Sequence, residues 1–115
     1  MEFTLPLPVP TNEAYKTGKG NFYKSKEAKA WEDEAGYLLL AQRKNKAPFL
    51  DRVYVCLAFY FPNEHKDIDG GIKPVLDLLQ RLNVYKNDRQ VKHLVVLSLE
   101  DKKKPRLEIE VASLT

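Results

Sequence analysis

Three residues in the stretch HKDIDGGIKPVLD carry chemistry: Asp67, Asp69 and Lys73, with Asp88 following in YKNDRQV. Asp67 and Asp69 are two residues apart, and in extended chain such side chains point the same way. Two carboxylates with no neutralising arginine beside them repel each other unless a cation lies between them. Hard oxygen ligands, with no cysteine and little histidine, suit Mg²⁺ or Mn²⁺ rather than zinc. Asp88 can close such a set as a third ligand if the chain runs out along a helix and returns. Lys73, one turn beyond Asp69, offers an ammonium that can stabilise charge on an attacked phosphate or a departing oxygen. Together these groups could serve in-line hydrolysis of a phosphodiester, with metal ions activating a water and stabilising the leaving 3′ oxygen. Plainer readings stay open for the same residues. D-x-D is a short pattern, Asp69 can cap a helix, and Asp88 can sit in a turn. Asp77, four residues beyond Lys73, can pair with it as i,i+4.

The elements that must hold these groups follow from periodicity. Phe3, Leu5 and Leu7 alternate with Thr4 and Pro6, an edge strand because proline cannot donate to a ladder. From Pro8 to Lys24 the turn formers Pro10, Asn12, Gly18, Gly20 and Asn21 predict an irregular connection. A loop of about 17 residues in so small a domain is usually functional or disordered. Ser25 is placed to cap a helix running to about Lys46, with Ala28, Trp31, Ala35, Leu38, Leu39 and Gln42 on one stripe. Trp31 is read as core.

In RVYVCLAFYF, residues 52–61, Val53, Val55, Leu57, Phe59 and Phe61 share one face. Tyr54, Cys56, Ala58 and Tyr60 make the other almost as apolar, which predicts a strand in the middle of a sheet. A second helix carries Ile72, Val75, Leu76, Leu79 and Leu82, with Pro74 in its first turn, Gly70 and Gly71 as a tight approach, and Asn83 at its end. Val91, His93, Val95, Leu97 and Leu99 alternate, as does RLEIEV, and the lysine-rich turn between them predicts a hairpin. His93 is read as structural. The expected fold class is α/β of the α+β type, a single domain over residues 1–115 in the order β-α-β-α-β-β. It places two helices against a mixed four-stranded sheet.

Composition narrows the class. With 115 residues, 43% hydrophobic and 30% charged, the chain suits one compact globular core. No apolar run approaches the roughly 20 residues of a membrane span, so no membrane role is expected. MEFTLPLPVP does not read as a secretory signal. The single cysteine, Cys56, is expected as a buried reduced thiol, consistent with cytoplasm. The net charge of +3 is modest, but lysines crowd into Lys16–Lys29, Arg43–Lys46 and Lys102–Arg106. Such clusters serve either as solvated surface or as a phosphate-binding footprint.

The pattern of D-x-D, a lysine, a leucine-rich helix and an aspartate before Gln-Val resembles the RusA-type Holliday-junction resolvases. Their motif is similar to D-x-D-N-x-x-K, with a D-D-x-Q-V segment after it. Asp67, Asp69, Lys73 and Asp88 fall in those places, and Gln90 and Val91 complete the tail. Pro8, Pro10 and Asn12 answer an opening P-x-P-x-x-N at altered spacing, and the element order agrees from Phe3 to Val111. Three features depart: Gly70 stands where asparagine is usual, Asn87 where the first of the paired aspartates is common, and the segment Asn63-Glu64-His65-Lys66 is less basic than in some relatives.

The resemblance implies an endonuclease that resolves four-way branched DNA by paired, symmetric cuts. Asp67, Asp69 and Asp88 would be its ligands for Mg²⁺, or Mn²⁺ as a substitute, and Lys73 its catalytic cation. A junction of approximate two-fold symmetry needs two matched sites, so a C₂ homodimer is expected. The segment Asn12–Lys24 mixes lysines with Tyr15, Phe22 and Tyr23, as distorted or single-stranded DNA requires. Asn12, Tyr15, Lys16, Lys19, Lys24 and Lys66 are the expected DNA contacts. Two rival readings are a catalytically silent junction-binding dimer and a Mg²⁺-dependent phosphohydrolase of small esters.

Overall fold

Strand β4 (Val53–Phe61), apolar on both faces, takes an interior place in a four-stranded sheet. The computed structural model describes residues 1–9, 15–18, 21–64 and 68–114, without the side chains of residues 15–18, 21–24 and 69. The sheet is ordered β1-β6-β4-β5, with β1 at Glu2–Leu5, β5 at Val91–Glu100 and β6 at Arg106–Ser113. β6 runs antiparallel to both β1 and β4, whereas β5 runs parallel to β4. A parallel neighbour needs a long crossover, and helix α2 (Ile72–Arg81) lies within it.

Helix α1 (Lys26–Arg43) starts where Ser25 accepts a bond from the Ala28 amide at 3.2 Å, satisfying one of the orphan N–H groups of the first turn. Its buried stripe of Ala28, Trp31, Ala35 and Leu39 joins Val75, Leu78 and Leu79 of α2. Both helices cover the sheet face made by Phe3 and Leu5, Leu107, Ile109 and Val111, and Val53, Val55, Leu57 and Phe59. Trp31 is core as expected, and its indole N–H donates to the Pro6 carbonyl at 2.8 Å. Gln42 clamps α1 to the sheet edge, bonding both the amide and the carbonyl of Thr4. Beyond α2, Asn83 adopts a positive φ of 59°, a left-handed conformation that asparagine tolerates better than most residues.

The fold class and the order of the main elements agree with the sequence reading. Two local expectations are corrected. Within the connection expected to be irregular, β2 (Tyr15–Gly18) and β3 (Asn21–Lys24) pair antiparallel as a second, two-stranded sheet. And β5 and β6 are not a hairpin, because β4 lies between them. Their connection crosses the end of β4, where the Asp101 amide donates to the Phe61 carbonyl at 2.8 Å. The Asp101 carboxylate organises that crossing, accepting from the Lys103 and Lys104 amides and from Arg106. Alternation reports which face a side chain occupies but not which strand lies alongside, so hairpin and crossing look alike in sequence.

Cys56 is also corrected: it is free but half-buried, on the sheet face away from the helices. Among the described residues, no helix is long and apolar enough to cross a membrane.

Candidate active site

The two halves of the chemical motif lie at opposite ends of the α2 segment. Asp69 opens a 3₁₀ turn, Asp69–Gly71, that leads directly into α2. The N-cap of α2 is Gly71, with no side-chain cap bond. Gly71 is there for close approach. A Cβ at this position would lie 2.9 Å from both the Phe59 ring and the Pro8 ring, closer than real contacts allow. The start of α2 is thereby pinned against β4 and the segment following β1. Lys66, Asp67 and the neighbouring His65 lie outside the described residues, as do Asn12 and Lys19.

Lys73 sits on the exposed side of the first turn of α2, with its ammonium 2.9 Å from the Asp77 carboxylate. The i,i+4 pair read from the sequence is therefore present. An exposed pair of this kind contributes at most about 1 kcal/mol, so Lys73 can exchange Asp77 for another anion at little cost.

Asp88 begins a second 3₁₀ turn, Asp88–Gln90, and is held from two directions. Its amide donates to the Gln80 side chain at 2.7 Å. Its Oδ1 accepts from the Tyr85 hydroxyl at 3.0 Å. The same hydroxyl lies 3.2 Å from the Leu76 carbonyl, so Tyr85 ties Asp88 back to the middle of α2. Tyr85 is fully buried. Burial, then the charge and hydrogen bond of Asp88, then the charge of Asp77, push its ionisation well above the ordinary tyrosine range. It therefore stays a protonated donor at any physiological pH.

The turn is locked by Gln90. Its carbonyl accepts from the Lys86 and Asn87 amides, and its amide donates to the Phe49 and Asp51 carbonyls. Asn87 caps the turn by accepting from the Arg89 amide at 2.8 Å. Asparagine caps about as well as aspartate. The departure at Asn87 thus removes a negative charge and keeps the local geometry. Phe49 bridges to Tyr85 in a short parallel pairing, joining this turn to the segment before β4.

Sequence reasoning missed Tyr85 and Gln80 as the groups that aim Asp88, and gave Gln90 no task. The available signal was an aromatic hydroxyl three residues before the aspartate. Of the expected metal ligands, Asp88 is the one whose side chain is described. Its Oδ2 takes no hydrogen bond or ion pair among the described residues, and a half-buried, fixed carboxylate with a spare oxygen fits a hard divalent cation. Among the described residues no three acidic, histidine or cysteine side chains gather as a metal set; Asp67 and the side chain of Asp69 lie outside them. Of the expected DNA contacts, Tyr15 and Lys16 fall on β2 and Lys24 on β3, with Tyr15 opposite Lys24 and Lys16 opposite Tyr23.

Comparison with curated proteins gave no match. Residues 6–112, nearly the whole chain, match the model of a family described as endodeoxyribonuclease RusA.

Proposed function

The chain belongs to the RusA endodeoxyribonuclease family, and from that premise we propose that it is a Mg²⁺-dependent homodimeric nuclease that resolves four-way DNA junctions by paired cuts. The observation that carries this reading is the family match over residues 6–112 together with the built setting of Asp88. A carboxylate clamped through Tyr85, Gln80 and the Gln90-locked turn is prepared for a fixed task, which a solvated turn aspartate would not need.

In this reading Asp67, Asp69 and Asp88 hold the cation, with Mn²⁺ as a substitute for Mg²⁺. The bound cation supplies Lewis-acid stabilisation of charge on the scissile phosphate. The chain's own groups set the geometry. Gly71 fixes where the turn that begins at Asp69 enters α2, and Tyr85 holds one oxygen of Asp88 so that the other is presented. Lys73, released from Asp77, contributes positive charge toward the phosphate. Asn12, Tyr15, Lys16, Lys19, Lys24 and Lys66 are the proposed DNA contacts. The β2–β3 hairpin presents Tyr15, Lys16 and Lys24 on one short, paired element, which supports a shared role.

The test is cleavage of a labelled synthetic four-way junction beside linear duplex, in Mg²⁺, Ca²⁺ or EDTA. Wild type is compared with Asp69→Asn and Asp88→Asn. Symmetric cuts in the junction, lost with EDTA and in both variants, are expected. Junction binding in Ca²⁺ with no cuts in Mg²⁺ or Mn²⁺ would replace this reading with the silent junction-binding dimer. Hydrolysis of nucleotides but not DNA would replace it with the small-ester phosphohydrolase.

A further inference from the structure

Along α2 the polar side chains form a stripe. Lys73, Asp77 and Gln80 are spaced i, i+4 and i+7, which stacks them on one side of the helix. At about 1.5 Å per residue the stripe is roughly 10 Å long, and it runs from the Asp69 end of the candidate site to the Asp88 end. Lys73 and Asp77 are joined at 2.9 Å. Asp77 follows directly on Leu76, whose carbonyl meets the Tyr85 hydroxyl, and its charge reaches Tyr85. Gln80 ends the stripe, against the turn that carries Asp88.

The Oε1 of Gln80 accepts from the Asp88 amide at 2.7 Å. An N–H must meet the oxygen of a side-chain amide, so this bond fixes which end is which. Standard amide dimensions then put Nε2 within about 5 Å of the Asp88 nitrogen. Among the described residues Nε2 meets no acceptor, and Gln80 is half-buried. The result is a fixed donor beside a fixed carboxylate whose own Oδ2 is uncommitted among the described residues. Hard cations take oxygen ligands, so the N–H groups of Nε2 do not serve the cation. They suit an oxygen of the anion that the cation would hold.

We propose that Gln80 is a substrate-contacting residue: its Nε2 donates to a non-bridging phosphate oxygen of the DNA strand at the Asp88 end of the site. The identity of the anion rests on the nuclease reading; the place rests on the bond between Gln80 and Asp88. Side-chain amides are ordinary partners of phosphate oxygens and set the register of a strand. Being neutral, this donor directs a phosphate without adding positive charge beside the carboxylate that would hold the cation. Lys73 at one end of the stripe and Gln80 at the other give two contacts roughly 10 Å apart, enough to align a strand along α2. Gln80 thus has two tasks, holding the Asp88 amide with its oxygen and the substrate with its nitrogen.

The two tasks separate by substitution. Gln80→Glu keeps an oxygen for the Asp88 amide but, at about pH 8, brings no N–H; Gln80→Ala removes both. The experiment is single-turnover cutting of a labelled four-way junction in Mg²⁺, and junction binding in Ca²⁺, for the full chain as wild type, Gln80→Glu, Gln80→Ala and Lys73→Ala. Each is run at low and raised salt, with Mn²⁺ affinity measured on the DNA-free protein. Gln80→Glu is expected to cut roughly 10- to 100-fold more slowly, the size of a hydrogen bond to a charged oxygen, with Mn²⁺ affinity unchanged or tighter. Most of the loss should persist at raised salt, because salt screens an added charge but does not restore a missing donor. Gln80→Ala should lose at least as much. Normal cutting by Gln80→Glu beside a defective Gln80→Ala would leave Gln80 only its hold on Asp88 and overturn the proposal. So would a loss that disappears at raised salt, which is charge repulsion, or one matched by weakened Mn²⁺ binding. A wild type that binds the junction and cuts nothing overturns the nuclease reading alone; the salt-resistant loss of binding in Gln80→Glu then upholds the contact, and its absence overturns it. A wild type that neither binds nor cuts overturns both.

Discussion

Tyr85→Phe removes one oxygen and leaves a fully buried ring in place, so it isolates the hydroxyl between Leu76 and Asp88. Hydrogen bonds to charged groups contribute roughly 1.5–3 kcal/mol. Asp88 is half-buried and water can replace part of the bond, so a loss of about 1–2 kcal/mol at neutral pH is expected. In a domain of this size that corresponds to a Tm lower by roughly 4–10 °C.

The alkaline limb separates this bond from a packing defect. The folded-state pKa of Tyr85 is raised, first by burial and then by Asp88, above an unfolded value near 10. Below about pH 10 both states keep the proton, and the contribution is fully present. Above it the unfolded chain releases the proton while the folded chain does not. Wild type then loses up to about 1.4 kcal/mol per pH unit from this group. Phenylalanine has no proton to release. The two stability curves should therefore run parallel from pH 7 to about 9.5 and converge from about pH 10 upward. Tyr54, whose pKa is also raised, is common to both proteins and cancels in the difference. Urea unfolding followed by the fluorescence of Trp31, the single tryptophan, measures both curves. A constant gap through about pH 11, or no gap at neutral pH, would refute the assignment of Tyr85 as the buried donor to Asp88.

Two further substitutions test the parts that hold the site. Gln90→Ala deletes the partner of four backbone groups and should cost about 2–3 kcal/mol. Hydrogen exchange at the Lys86 and Asn87 amides should rise well beyond the global change, while Gln90→Glu, which keeps the acceptor, should protect them partly. Gly71→Ala places a Cβ 2.9 Å from Phe59 and Pro8 and should destabilise by about 1–3 kcal/mol in urea titration; a neutral result would mean that α2 is free to shift its start.

Much of the architecture was legible because it is written in local chemistry. β4 is apolar on both faces, and a strand that must hide two faces has to lie inside a sheet. The α1 stripe from Ala28 to Gln42, the cap at Ser25 and the glycine approach to α2 are likewise properties of short segments. Asp69, Lys73 and Asp88 were singled out by their spacing together with the family resemblance, and the roles assigned to them are the subject of the cleavage test.

What the sequence alone did not decide were the relations between segments distant in the chain. β5 and β6 carry the alternation of a hairpin, yet β4 separates them, because strand neighbours are chosen by the fit of whole faces rather than by the turn between them. The setting of Asp88 depends on Tyr85 reaching Leu76 and on Gln90 reaching Phe49 and Asp51. Those bonds exist only once α2, the segment before β4 and the second 3₁₀ turn are packed together. The sheet face away from the helices is of the same kind. Leu97 and Leu99 alternate as core residues do, and only the sheet order shows that the helices cover the other side. Periodicity fixes which residues share a face; tertiary packing decides which face is covered and what a carboxylate finds beside it.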